Sequence, residues 1–271
     1  STTRPWARRR VMLYVRAITL RNCGRFTVVA SDFGSDYRTH THVTSEALYA
    51  SLTRGATWRP SLIDLKNDSY DFNKTYDVSV FPIWFLPGIF YASGSHRLPD
   101  SMLDTTFFNV VHEFYPTTHK AYVFETGYIR EKERSYYVPT YGSVQSVVPN
   151  QQLITYVFSF DSEKLEYFQQ NQVFLLGKKR TMFQIIELSK VIEGVPNVGK
   201  CDTAWLQITA EEITHFLQYE ILTATMRYFI CRGKTKEGTK YIEFFISENK
   251  NICLPEFYLI KTPIWSAIYD G

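Results

Sequence analysis

The chain has 271 residues, is 45% hydrophobic and carries a formal net charge of +3. That much apolar material can bury a large core in one domain or two small ones, which excludes a disordered or low-complexity chain. No apolar run is long enough to span a membrane, since Arg16 interrupts Val11 to Leu20, so a soluble, cytoplasmic protein is expected.

Val11 to Leu20 reads as a central strand with apolar residues on both faces and Tyr14 and Arg16 as exceptions. Arg21 to Arg25 is a turn, Phe26 to Ala30 a second strand and Asp32 to His42 a polar loop. Thr44 can cap a helix through Leu52, with Glu46 in its first turn and Ala47, Leu48 and Leu52 on one face; Gly55 ends it. Thr57 to Thr75 lacks periodicity, and Asp77 to Phe85 returns to strand before Pro87-Gly88. Residues 92–152 are rich in Gly, Pro, Ser and Asn, with a charged run from Arg130 to Arg134 between tyrosines, which predicts an inserted β-hairpin or thumb.

Leu153 to Phe160 is a strand, and Asp161 or Ser162 caps a helix to Gln170. Next comes Phe174 to Glu187, in which Gly177 is followed at once by Lys178, Lys179 and Arg180 and then by a β-prone run from Thr181 to Leu188. Glycine permits a positive φ or a close backbone approach, and the three cations concentrate charge suited to a phosphate chain. A solvated surface turn is the alternative. Gly194 to Lys200 reads as a linker, dividing residues 1–193 from an extension over 194–271. In that extension Thr209 and Glu212 form a capping box for a helix with Ile213, Phe216, Leu217 and Ile221 on its apolar face. A hairpin of Thr225 to Cys231 and Lys240 to Ser247, turned at Gly233 to Gly238, closes the pattern.

Charge is placed, not spread. Residues 1–25 hold seven arginines (4, 8, 9, 10, 16, 21 and 25) and no acid. With the 178–180 cations set aside as well, 20 basic residues of the 30 face all 27 acids, a balance of −7. Such asymmetry suits an anionic partner at particular places, with the rest of the surface available to proteins. The 19 Tyr and 20 Phe add packing mass and ring faces on which bases can stack. Cys23, Cys201, Cys231 and Cys253 lie far apart without a CxxC and read as core thiols.

The order strand, helix, strands, helix, strand resembles a ferredoxin-like split βαβ unit, so an α+β fold of that kind is expected. On four stretches the chain resembles the Cas-five-type RAMP subunit (Csc family) of the type I-D CRISPR Cascade complex. These are Tyr14 to Leu20 with Asn22 and Phe26; Thr39 to Leu52; Tyr137-Val-Pro-Thr-Tyr141-Gly142 followed by Leu153-Ile-Thr-Tyr156; and Leu176-Gly177-Lys178. They span residues 11 to about 188. Their order and spacing carry the resemblance, because each is short and degenerate. Two departures stand out: Ala30-Ser31-Asp32 occupies a place where the family has a basic residue, and the region from Lys200 is longer than the family's.

The resemblance implies a non-catalytic subunit that binds the 5′ handle of the guide RNA and caps the backbone filament. Its partners would be the filament subunit, the large subunit and, beside the adjacent motif, target DNA, with no membrane and no cofactor. Lys178, Lys179 and Arg180 would hold handle phosphates, Arg16, Arg21 and Arg25 would add charge beside the first strand, and Arg130, Lys132 and Arg134 would lie on the thumb. Tyr136, Tyr137 and Tyr141 would stack bases. A metal-free endoribonuclease using His112, Tyr115 and His119 is one alternative, and a purely structural cap is another. His40 and His42 lie on one side of an extended chain but lack a third ligand, so no metal site is expected. No phosphate-loop, dinucleotide, zinc-protease or nucleophile-elbow motif occurs.

Overall fold

The computed structural model of the chain describes residues 12–33, 36–54, 72, 76–91, 102–109, 129–131, 134–136, 141–177, 180–248 and 250–269. In chain order these residues form β1 (Tyr14–Asn22), β2 (Val29–Phe33), β3 (Asp36–Thr39), β4 (His42–Val43), α1 (Ser45–Leu52), β5 (Ile83–Phe85), β6 (Gly88–Tyr91) and β7 (Leu103–Asn109). There follow β8 (Ile129–Glu131), β9 (Arg134–Tyr136), β10 (Tyr141–Val147), β11 (Gln152–Ser159), α2 (Ser162–Leu165), β12 (Val173–Leu176), β13 (Thr181–Leu188) and β14 (Ile192–Glu193). The C-terminal part adds β15 (Val195–Gly199), β16 (Leu206–Ile208), α3 (Ala210–Ile213), β17 (Phe216–Ala224), β18 (Phe229–Thr235), β19 (Thr239–Ser247), β20 (Lys250–Pro255), α4 (Glu256–Leu259) and α5 (Pro263–Tyr269). The protein is a mixed α+β structure dominated by antiparallel sheets.

The main sheet runs β12-β13-β1-β11-β6-β4, with β14 beside β1 and β5 beside β11, and its ladders are antiparallel. A second sheet runs β2-β3-β10-β7, in which β3 and β10 are parallel. The C-terminal strands form two three-stranded sheets, β15-β19-β20 and β16-β18-β17. β7 and β10 pair along their lengths, and β8 and β9 form a small hairpin in the chain between them, where a thumb hairpin is expected.

Successive side chains of a strand point to opposite faces, so the β1–β11 register sorts the sheet's contents. Arg16, Ile18 and Leu20 share a face with Val157, Thr155 and Leu153; this face is buried, and Phe85 packs edge-on against Phe168 there at 5.8 Å. Val15, Ala17, Thr19 and Arg21 share the other face with Phe158, Tyr156, Ile154 and Gln152. The C-terminal part covers one end of that second face: Tyr258 lies 6.4 Å from Phe158, and Gly194 N–H donates to Leu13 O at 2.8 Å. Among the described residues nothing covers the other end, and Tyr91, paired with Gln152, is 53% exposed there.

Several predicted elements differ in length or partner. α1 forms as expected, capped by Thr44, whose hydroxyl accepts from Ala47 N–H. α2 is one turn and stops at Leu165 rather than reaching Gln170. Asp77 to Phe85 becomes a turn followed by β5; Pro87, which has no N–H, then interrupts the edge between β5 and β6. The polar loop from Asp32 contains β3 and β4.

The expected linker is strand β15, paired with β19 from Val195↔Glu243 to Gly199↔Thr239. The capping box forms as read, with Glu212 accepting from Thr209 N–H at 2.7 Å, yet the helix ends at Ile213 and the chain enters β17. The expected C-terminal hairpin does not form. β18 pairs with β16 and β17 while β19 pairs with β15 and β20, so the Gly233 to Gly238 segment carries the chain between sheets. Of the cysteines, Cys201, Cys231 and Cys253 are buried as expected, while Cys23 is exposed.

Arg16 is the main correction among the basic residues. Its Nε donates to Ser189 O at 2.8 Å and its Nη1 reaches Leu165 O and Phe168 O, each at 3.0 Å, with Glu166 at 3.3 Å. The side chain is 13% exposed, so it serves the carbonyls after α2 instead of an outside phosphate. Arg16→Met should lower the unfolding free energy in urea by about 2 to 4 kcal/mol, because buried carbonyls lose a charged donor. Arg21→Met, on the opposite face, should cost about 1 kcal/mol or less in the same titration.

Candidate nucleic-acid interface

The basic stretch is the turn of the β12–β13 hairpin. Leu176↔Thr181 is the last pair of the ladder, with Gly177 and Arg180 just beyond it. Gly177 has φ +79°, and a Cβ there would meet Phe26 Cε2 at 2.8 Å and Thr27 O at 3.2 Å. Glycine is therefore needed for turn packing, whatever the turn binds. Arg180 is exposed with φ +52°, and its N–H donates to Gly177 O at 3.1 Å. Lys178 and Lys179 lie outside the described residues.

The remaining predicted residues fall into separate groups. Arg25 adjoins the basic turn, since Thr181 Oγ1 donates to Arg25 O at 2.7 Å, but its guanidinium is paired with Asp104 and bonded to Thr106. Arg21 lies on the open sheet face, where Nη2 donates to Gln184 Oε1 at 2.8 Å and Nε is buried without a hydrogen-bond partner. Arg130, Arg134 and Tyr136 belong to the β8–β9 hairpin and Tyr141 opens β10; only their backbone is described. Lys132, Tyr137, His112, Tyr115 and His119 lie outside the described residues.

The open face also leads into a cleft that sequence reasoning missed. It has a volume of about 410 Å³ and lies where β6 and β11 meet the C-terminal strands. Tyr91, Tyr156 and Trp205 supply rings, and Arg232 and Lys250 supply charge. Arg232 sits 4.7 Å over the Trp205 ring and Lys250 Nζ 5.6 Å over Tyr156. Arg232 Nε also meets Glu220 at 3.0 Å. None of the described residues that line the cleft is acidic. Such interleaving of rings and cations suits unstacked bases and their phosphates. These residues are scattered from position 91 to 250, so no local motif announces them.

No protein-family model matches the chain, and no curated protein sequence matches it.

Beside the cleft's strands lies a buried polar cluster. The His40 and His42 rings are 4.6 Å apart; His42 Nε2 lies 3.0 Å from Tyr228 Oη, and Nδ1 lies 3.4 Å from Thr223 Oγ1. Burial, and then His40, hold the His42 pKa down to about 3, so its ring is neutral. Burial and then Glu46 push Tyr228 up. No cluster of three or more potential metal ligands occurs among the described residues.

An unfolded histidine titrates near 6.5, so between about pH 6.5 and 3 the unfolded chain takes up a proton that the native state refuses. This contribution to stability is complete above about 6.5 and is lost as pH falls toward 3. Urea midpoints measured at successive pH values should therefore decline through this window, and His42→Gln should flatten the decline.

Proposed function

We propose that the chain is a non-catalytic, RNA-binding subunit of a type I-D CRISPR ribonucleoprotein. It grips the 5′ handle of the guide RNA and caps the backbone filament next to the large subunit. The strand order β13-β1-β11-β6 is antiparallel throughout, with α1 between β1 and β6 in the chain and α2 between β11 and β13. That arrangement supports a ferredoxin-like RAMP domain.

A fold does not supply a function, so the RNA reading rests on one observation. The uncovered part of the sheet carries Arg21 and Tyr91 and leads into a cleft walled by Tyr156, Trp205, Arg232 and Lys250, with no acidic side chain among its described lining residues. Lys178, Lys179 and Arg180 would hold phosphates from the hairpin turn, and Arg25 would join them on releasing Asp104. Arg130, Lys132 and Arg134, with Tyr136, Tyr137 and Tyr141, would act from the thumb. Arg16 has no part in this interface.

The test is the salt dependence of binding to single-stranded handle RNA. Each phosphate contact contributes about 0.7 to the log–log slope, so replacing Lys178, Lys179 and Arg180 together with Ala should flatten it by roughly 2. Handles of different sequence should weaken about equally, because phosphate contacts do not read bases. An unchanged slope and affinity would remove the turn from the interface. The protein should leave a repeat RNA intact with or without divalent metal. Specific cleavage abolished by His112→Ala or His119→Ala would overturn the non-catalytic reading.

A further inference from the structure

We propose that the cleft between β6, β11 and β20 takes a single unstacked nucleotide of the bound RNA strand. Its base would lie on the Tyr156 and Trp205 wall and its phosphate at Lys250. The inference deepens the RNA-binding reading and rests on it.

About 410 Å³ falls at the lower end of the ~300–1,000 Å³ typical of small-molecule sites, which suits one nucleotide. A double helix would be met across a broad surface instead of inside a concave pocket. Ile89, Ile154 and Ile252 give the lining apolar side chains, so a base entering the cleft sheds water from its ring faces.

The polar groups are arranged for a ligand with a flat ring at one end and an anion at the other. The Arg232 guanidinium carbon lies 4.7 Å from the centre of the Trp205 ring and its Nε is anchored to Glu220 at 3.0 Å, which holds the cation beside the ring. Lys250 is exposed at the rim, with its ammonium above Tyr156, where a phosphate can approach without burying an unpaired charge. Asn251, also in the lining, donates its Nδ2 to Glu243 Oε1 at 3.2 Å, which leaves its Oδ1 as an acceptor for a base edge. Tyr91 extends the platform toward Arg21, a path for the next nucleotide along the open face. An acidic peptide could also meet Lys250, but it would leave the ring faces unused.

The experiment is photocrosslinking of the full chain to a single-stranded RNA of about 12 nucleotides carrying 5-iodouridine at successive positions. Affinity is measured in parallel at several salt concentrations. Crosslinks should map to Tyr156 or Trp205 and should persist when Lys178, Lys179 and Arg180 are replaced by Ala. Tyr156→Leu should weaken binding about 5- to 150-fold with the salt slope unchanged, because stacking is not a counterion effect. Lys250→Gln, at an exposed position, should weaken binding and lower the slope by about 0.7, which keeps the test decisive if the Tyr156 variant fails to fold.

RNA that binds but crosslinks only elsewhere, with wild-type affinity in Lys250→Gln, overturns the cleft and leaves the RNA reading standing. No binding of single-stranded RNA overturns both. Crosslinking of 5-iodouridine 5′-monophosphate without crosslinking of the strand makes this a free-nucleotide site and overturns the assignment to RNA. Competition by an acidic peptide, in place of RNA, assigns the cleft to a protein partner and overturns it equally.

Discussion

The register of β1 between β11 and β13 decides which side chains this protein buries and which it offers to a ligand. Arg16 and Arg21 are five residues apart on one strand, an odd interval, so they fall on opposite faces. Arg16 is spent on the carbonyls of Leu165, Phe168 and Ser189, whereas Arg21 lies on the uncovered face beside Gln184. A slip of one residue would exchange them, leaving a guanidinium in the core without its carbonyls. Asn22 guards against that slip. It is fully buried at the end of β1, where Nδ2 donates to Gly24 O and Val148 O and Oδ1 accepts from Gln151 N–H at 2.7 Å. A shifted strand would strand all three bonds at once.

With the two faces set, the C-terminal part acts as a partial lid. Tyr258 against Phe158 closes one end of the second face, and Trp205, Arg232 and Lys250 form the far wall of the cleft at the boundary of what remains open. Among the polar ties that join this part to the rest are His42 to Tyr228 and Thr223, and Gln207, whose amide donates to Glu46 while its oxygen accepts from Ser45 N–H. The cleft is thus a product of packing between distant segments, and its geometry depends on these buried polar contacts being satisfied. The uncovered face continues toward the sheet edge through Gln184 to Met182, Leu175 and Val173, each of the last three about half exposed.

Much of the main sheet was legible in the sequence because its signals are local. Alternating or continuous apolar runs mark β1, β11 and β13, Thr44 marks the start of α1, and Gly177 marks a turn requiring positive φ. The C-terminal part was not, for a physical reason. Ile213, Phe216, Leu217 and Ile221 fit a helical stripe, but Leu217, Tyr219 and Ile221 equally fit alternation, and pairing with β18 decides for a strand. β18 and β19 each read well as strands, yet their partners are β16, β17, β15 and β20, choices no local pattern encodes. The candidate site divides the same way. The turn cations are contiguous and conspicuous; the cleft's rings and cations come from five separate segments. Charge counting also treated Arg16 and Arg21 alike, and only strand parity separates them.

The central claim is that the uncovered half of the main sheet, with its cleft, is the nucleic-acid face. Amide hydrogen exchange of the full chain with and without single-stranded handle RNA tests it most directly. The account predicts slowed exchange across residues 89–91, 152–156, 203–205 and 250–252, with α1 and β17 unchanged. Protection confined to β17, or to none of these segments although RNA is bound, would contradict it.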